Sequence, residues 1–170
     1  MEFETNSATI GRQPVGGGQR ARRACAAARS HPVILCVDDD ADVLTILRLF
    51  LSTQRFEVIT ALNAAEGRRL AEEHLPDLVI TDDAMPGMSG RELCRALRDC
   101  GSTRDIPIIL HSAKDVCEDD PDLFDRFVMK PTELDVFLRT IRALLDSGSS
   151  QRRLELARSQ PRDLGDESGA

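Results

Sequence analysis

The chain has 170 residues, is 41% hydrophobic and carries a formal net charge of −7, which leaves room for one domain with tails and excludes two ordinary domains. Residues 32–146 carry a net charge of −10, and such an acidic surface argues against direct DNA binding. No apolar run approaches the roughly 20 residues of a membrane span, and no signal-peptide pattern is present, so we expect a cytoplasmic protein without membrane contact.

The two ends of the chain differ in composition from its middle. Residues 1–31 hold five Arg and two Glu beside a run of three glycines, and residues 147–170 are polar with equal numbers of acids and bases. Neither segment has the apolar periodicity that a packed core requires. We therefore predict a disordered Arg/Gly-containing N-terminal tail, a folded domain over 32–146 and a disordered polar C-terminal tail.

Short apolar segments at regular intervals predict the strands of a sheet. The first and third are continuous apolar runs that end in acids, which is typical of strands buried on both faces. The predicted strands cover residues 33–37, 56–61, 77–82, 106–111 and 127–130.

Apolar residues at helical spacing predict helices between these strands. Asp40, Asn63 and Ser89 stand where N-caps belong, and Gly101 is expected to end the third helix. Residues 113–126 offer few apolar positions and allow only a short helix of roughly two turns. The last helix has the clearest apolar stripe: Leu134, Phe137, Leu138, Ile141, Leu144 and Leu145.

Alternating strands and helices predict a doubly wound α/β fold with a five-stranded parallel sheet. In such a sheet the carboxyl ends of the strands meet at one edge, where ligands bind. The residues expected there carry three kinds of chemical group: the acids Asp38, Asp39, Asp82 and Asp83, the hydroxyl of Ser112 and the ammonium of Lys130. This combination predicts a site for a divalent cation and a phosphoryl group.

At these residues the chain resembles the CheY-like receiver domain of two-component response regulators. The resemblance rests on five motifs in order: Val37-Asp38-Asp39, Asp82 four residues before Pro86 in Met-Pro-Gly, the Met-Ser-Gly turn at 88–90, Ile-Leu-His-Ser-Ala-Lys at 109–114, and Lys130-Pro131. It covers residues 32–146 and implies strand order 2-1-3-4-5. Between Ser112 and Lys130 the chain is about one helical turn shorter than is usual in that family. The helix between the fourth and fifth strands is therefore expected to be short, and the surface there that would contact an output partner is in doubt.

The resemblance also implies residue roles. Asp82 would be the phosphorylated aspartate, forming an aspartyl phosphate. Asp39, Asp82 and the backbone carbonyl of Ala84 would bind Mg²⁺, with Asp38 in support. Ser112 and Lys130 would contact the phosphoryl group, and Phe127 would be the switch aromatic residue: the predicted site set is thus Asp38, Asp39, Asp82, Ala84, Ser112, Phe127 and Lys130.

Three neighbouring residues leave choices open. Asp83 could be the nucleophile instead of Asp82, although the distance to Pro86 favours Asp82. Asp40 suits a helix cap better than a ligand. His111 is expected to be a packed or rim residue and not a catalytic base.

The predicted function is that of a stand-alone receiver in a two-component or phosphorelay pathway. It would take a phosphoryl group from a histidine kinase or a histidine phosphotransfer protein and change its contacts with an unknown downstream protein. We expect no enzymatic activity beyond self-catalysed phosphotransfer and autodephosphorylation. One alternative is a Mg²⁺-dependent phosphatase of the haloacid dehalogenase type, which needs an acid where this chain has Ala84; another is a pseudo-receiver adaptor that works without phosphorylation.

Overall fold

The computed structural model describes residues 29–113 and 122–158, with side chains up to residue 147. Strands and helices alternate along the chain as predicted up to β4, and the observed ends of the elements lie within two residues of most predicted ends. They are β1 (Val33–Val37), α1 (Ala41–Thr53), β2 (Glu57–Ala61), α2 (Ala64–His74), β3 (Leu78–Thr81), α3 (Gly90–Asp99), β4 (Ile108–Ser112), β5 (Arg126–Met129) and α4 (Leu134–Arg158).

The five strands form one parallel sheet in the order β2-β1-β3-β4-β5, which confirms the predicted fold class and strand order. The strands at the centre are apolar throughout because helices cover both of their faces. Leu35, Val37 and Val79 pack with α2 and α3 on one face. Ile34, Cys36, Leu78, Ile80 and Ile109 pack with α1 and α4 on the other.

The three predicted N-caps begin their helices. The Asp40 side chain accepts hydrogen bonds from the backbone at Asp42 and Val43, and the Asn63 side chain accepts one from Glu66. Ser89 forms a reciprocal capping box with Glu92. The third helix ends at Asp99 with Cys100 as its C-cap, one residue before the predicted stop at Gly101. These caps fix the loops that follow β1, β2 and β3.

Regular structure and contacts extend beyond both limits of the predicted domain at 32–146. Helix α4 continues to Arg158, past the predicted domain end at 146, because residues 151–158 are mostly good helix formers and proline first occurs at 161. At the other end, the Arg29 guanidinium donates to the carbonyls of His74 (2.6 Å) and Leu75 (3.4 Å), the last residues around α2. Residues 1–28 of the tail predicted at 1–31, the segment 159–170 and most of the short helix predicted within 113–126 lie outside the described residues.

The described helices were also compared with the requirements of a membrane span. None of those in 29–113 and 122–158 has the length and apolar content to cross a bilayer.

Candidate functional site

Two nearly buried carboxylates stand at the carboxyl ends of the central strands. Asp38 directly follows β1 and is 4% exposed, and Asp82 directly follows β3 and is 8% exposed. The sheet hydrogen bonding continues through both residues, since the Asp38 N–H donates to Ala61 O (3.1 Å) and the Asp82 N–H donates to Val37 O (2.8 Å). The backbone therefore holds both acids at the sheet's edge, as predicted.

The Lys130 ammonium joins these two carboxylates. Its Nζ donates to Asp38 Oδ2 and to Asp82 Oδ1, each at 2.7 Å. Lys130 directly follows β5, its N–H donates to Ser112 O (2.8 Å), and its bond to Pro131 is cis. Residues 92 and 48 positions apart in sequence thus meet at one point.

Backbone N–H groups hold the other carboxylate oxygens. Asp82 Oδ2 accepts from the Ala84 N–H at 2.6 Å, and Asp38 Oδ1 accepts from the Asp40 N–H at 3.0 Å. Each carboxylate therefore has one oxygen on the lysine and the other on the loop that follows its own strand. This arrangement fixes the plane of both groups without any further side chain.

The charges at the site are unbalanced. Burial alone would lower the pKa of Lys130, but its hydrogen bonds to Asp38 and Asp82 and their negative charges outweigh burial and raise that pKa. The lysine is therefore a stable cation that faces two anions. One negative charge is left uncompensated in a nearly buried position, and this attracts a cation to the site.

The oxygen donors fit Mg²⁺, although they are not gathered into a ready-made cluster. Asp38 and Asp82 are nearly buried, whereas Asp39 is exposed. Within 29–113 and 122–158, no three His, Cys, Asp or Glu side chains lie close enough together to hold a metal. Carboxylate oxygens with excess negative charge nevertheless suit a hard cation, which takes only one or two protein carboxylates and keeps several waters.

Ser112 and Phe127 occupy different surroundings. Ser112 ends β4, is 1% exposed and is paired in register with Met129, next to Lys130. Phe127 is half-buried on β5 and lines a shallow groove with Val136 and Thr140 of α4. The structure thus brings Asp38, Asp82, Lys130 and the Ala84 N–H into direct contact, with Ser112 joined to Lys130 through the backbone, and it places Phe127 on the edge strand.

Asp83 lies apart from this cluster. Its carboxylate is 3.2 Å from Arg91 Nε and accepts the Arg91 N–H at 3.3 Å, in the first turn of α3. Sequence reasoning considered Asp83 as a nucleophile and missed Arg91. The capping signal at Ser89 could have located the turn that carries Arg91, but the pairing of side chains required the structure.

His111 is a packed residue, in agreement with its predicted role. Its ring stacks on Phe137 of α4 with centroids 4.8 Å apart. Burial, and next the Lys130 charge, lower the pKa of His111 to about 4, although Asp38 and Asp82 oppose the shift. His111 and Phe137 line a mostly apolar cavity of about 260 Å³ that α1 closes with Val43 and Ile46.

Comparison with known families gives one match over most of the chain. The family described as "Response regulator receiver domain" matches residues 34–142. This range contains both carboxylates, Lys130 and all five strands apart from the first residue of β1.

Curated relatives show the same likeness. The chain is 35% identical over 127 residues to the transcriptional regulatory protein AfsQ1 of Streptomyces coelicolor, a match that covers 71% of this chain and 54% of the relative. It is 34% identical over 127 residues to the transcriptional regulatory protein KdpE of Mycobacterium tuberculosis, covering 72% of this chain and 55% of the relative. The chain thus spans about half the length of the curated relatives it matches.

Solved structures agree in fold. The CheY-like receiver domain protein of Methanospirillum hungatei is 27% identical, with a TM-score of 0.66 over 72% of this chain and 99% of that one. The response regulator TrrA of Thermotoga maritima, solved in complex with Mg²⁺-BeF, is 30% identical, with a TM-score of 0.61 over 66% of this chain and 98% of that one.

Proposed function

Since this chain belongs to the response regulator receiver family, we propose that Asp82 accepts a phosphoryl group from a phosphohistidine and that the aspartyl phosphate changes contacts with another protein. The observation that carries the proposal is the position of the Lys130 ammonium, 2.7 Å from oxygens of both Asp38 and Asp82. A cation in that place lies beside the oxygens of any phosphoryl group attached to Asp82. Members of this family act in signalling, and we propose no reaction beyond phosphotransfer to Asp82 and hydrolysis of its phosphate.

The transfer is a displacement at phosphorus. One carboxylate oxygen of Asp82 forms a bond to phosphorus while the bond from phosphorus to the donor imidazole nitrogen breaks. The imidazole leaves with the electron pair of that bond. Lys130 takes up negative charge that develops on the phosphoryl oxygens, and the Ala84 N–H keeps the attacking carboxylate in its plane.

We propose that Asp39, Asp82 and the Ala84 carbonyl bind Mg²⁺, with Asp38 in support. When bound, the ion would offset the surplus negative charge of the acids and of the incoming phosphoryl group. Asp38 and Asp82 are held at the sheet's edge by their ion pairs with Lys130, whereas Asp39 is exposed and would complete the ligand set by moving toward them. TrrA supports the proposal, because it is similar over the same domain and was solved with Mg²⁺-BeF.

We propose that Ser112 and Phe127 change position when Asp82 carries a phosphoryl group. Ser112 is buried next to Lys130 and can donate its hydroxyl hydrogen to a phosphoryl oxygen on Asp82. Phe127 is half-buried on the same strand that leads to Lys130. A shift of Lys130 and Ser112 toward the phosphoryl group would pass along β5 and alter the exposure of Phe127.

The partners follow from the same chemistry. The phosphohistidine donor would be a histidine kinase or a histidine phosphotransfer protein, and the transfer would take place in the cytoplasm, where ATP supplies the phosphoryl group. The downstream partner is proposed to be a protein and not DNA, since residues 32–146 carry a net charge of −10.

The proposal is tested with acetyl phosphate and Mg²⁺, with intact mass as the readout. The wild-type chain should gain one base-labile phosphoryl group, and labelling of Asp82→Asn should fall to a small fraction of that. Asp135→Asn, which removes an exposed acid from α4, should label like the wild type. Absence of labelling in the wild type, or steady turnover of a small phosphate ester, would overturn the proposal.

A further inference from the structure

Two adjacent carboxylates follow β3, yet they have opposite surroundings. Asp82 faces Lys130, which lies 2.7 Å from its Oδ1. Asp83 is half-buried against the first turn of α3, where its carboxylate contacts Arg91. Both are anions of the same chemistry, so orientation and partners must decide which of them reacts.

Arg91 makes two contacts with the Asp83 side chain. Its Nε lies 3.2 Å from Oδ2, and its N–H donates to Oδ1 at 3.3 Å. Within the described residues Arg91 Nε is buried and makes no well-aligned hydrogen bond, so the Nε contact acts mainly through charge. The N-terminus of α3 adds a favourable field for an anion at this place.

Close packing fixes Arg91 over Asp83. A Cβ on Gly90 would lie 2.0 Å from the Asp82 carbonyl oxygen, so only glycine lets α3 begin directly on the Asp82–Asp83 backbone. The Gly90 N–H donates to Asp83 O at 3.1 Å. The residue after Gly90 is therefore carried to the Asp83 side chain by the backbone itself.

We propose that Arg91 is a positioning residue that directs phosphoryl transfer to Asp82 by holding the Asp83 carboxylate at the start of α3, away from Lys130. This inference rests on the proposed function, because it concerns which acid of the same site accepts the group. Neutralising Arg91 leaves Asp83 free to rotate toward the pocket. With acetyl phosphate as donor, an Asp83 oxygen then bonds to phosphorus, the bond from phosphorus to the acetate oxygen breaks, and acetate leaves with the electron pair.

The test uses Asp82→Asn as background, so that labelling reports on Asp83 alone. The variants are Asp82→Asn, Asp82→Asn/Arg91→Gln and Asp82→Asn/Arg95→Gln, each exposed to acetyl phosphate and Mg²⁺ and read by intact and fragment mass. Arg95 is an exposed arginine one turn further along α3 and serves as the matched control. Loss of the Arg91 charge should raise labelling at Asp83 by about fivefold, the change expected for release from one partly exposed ion pair.

Further variants separate positioning from a general loss of structure. Arg91→Lys in the same background keeps the charge and should return labelling toward that of Asp82→Asn. Arg91→Met keeps the apolar stem without the charge and should show the same rise in labelling, so it serves as the test variant if Arg91→Gln unfolds. Adding Asp83→Asn should abolish the new labelling.

Two results would overturn the inference. One is equal labelling of Asp82→Asn with and without the Arg91 change, in proteins that melt at the same temperature. The other is an equal rise in labelling at Asp83 in Asp82→Asn/Arg95→Gln, which would make the effect one of net charge and not of the position of Arg91. In either case the wild type would still label at Asp82, so the proposed function would stand; failure of the wild type to label would remove both.

Discussion

The centre and the edge of the sheet differ in how firmly they hold the groups of the site. Strands β1 and β3 are buried at every residue and lie between two neighbours each. Strand β5 pairs with β4 alone, its outer residues are exposed, and Met129 beside Lys130 is 47% exposed. The carboxylates thus follow the buried central strands, and the ammonium follows the partly exposed edge strand.

This difference indicates which part can move. Asp38 and Asp82 follow strands that have a hydrogen-bonded neighbour on each side, whereas Lys130 follows an edge strand and is held by its own contacts with those acids and by one hydrogen bond to Ser112 O. A change of charge on Asp82 alters the very contacts that keep the end of β5 in place. We therefore expect phosphorylation to act on the edge strand and to leave the central strands unchanged.

The largest expected effect comes from removing the cation at the edge. Lys130→Met keeps the apolar stem but removes the cation that joins Asp38 and Asp82. Loss of one charged donor from a pocket of this kind should slow phosphoryl uptake from acetyl phosphate by about 100- to 1000-fold. The rate is measured by intact mass over time.

Arg126→Met is the matched control for this change. Arg126 is an exposed cation at the start of the same strand, and its replacement should leave the uptake rate close to that of the wild type. Equal slowing in both variants would mean that net charge, and not the position of Lys130, governs uptake.

A smaller expected effect compares how much side-chain packing in β3 and in β5 contributes to the free energy of unfolding. Val79→Ala removes the same atoms from β3 that Val128→Ala removes from β5, but Val79 is fully buried and Val128 is half-buried. Val79→Ala should lower the free energy of unfolding by about 2 to 3 kcal/mol, and Val128→Ala by about 1 kcal/mol. Urea unfolding gives both values; equal losses would contradict the contrast between centre and edge.

Much of the fold could be predicted because its signals are local. The continuous apolar runs of β1 and β3, the caps at Asp40, Asn63 and Ser89, and the stripe of the last helix each depend on a few neighbouring residues. The strand order required the family resemblance, since periodicity does not state which strands are neighbours. Asp38, Asp82 and Lys130 could be placed at one edge because a parallel sheet gathers its carboxyl ends.

Other features depend on contacts that no local pattern encodes. The Arg91–Asp83 pair and the His111–Phe137 stack join side chains whose directions are set by packing. Strand β4 begins at residue 108 and not at the predicted residue 106. Ile106 packs into the core as part of the preceding loop, where its N–H donates to Thr103 O. The continuation of α4 past 146 is hard to predict from the sequence, because Ser147 and Gly148 are weak helix formers that interrupt the apolar stripe.

His111 lies between the two regions, on β4, and offers the smallest and most specific test. Its pKa in the folded state is about 4, against 6.5 for an ordinary histidine, because burial and the Lys130 charge disfavour the imidazolium. Between these values the unfolded chain binds a proton that the folded chain does not, so the contribution of His111 to stability is complete above pH 6.5 and is lost as the pH falls toward 4.

From pH 7 to pH 5 the wild type should therefore lose about 1 to 2 kcal/mol more than His111→Leu, after allowance for the partial exposure of the ring. Urea unfolding at both pH values gives, for each protein, the change in the free energy of unfolding between pH 7 and pH 5. Comparing these changes cancels any effect of the substitution on packing that does not depend on pH. The carboxylates of Asp38 and Asp82, which also face the ring, are present in both proteins. An equal loss of unfolding free energy in the two proteins would mean that His111 is not held neutral, and that the edge of the sheet admits more water beside Lys130 than its contacts indicate.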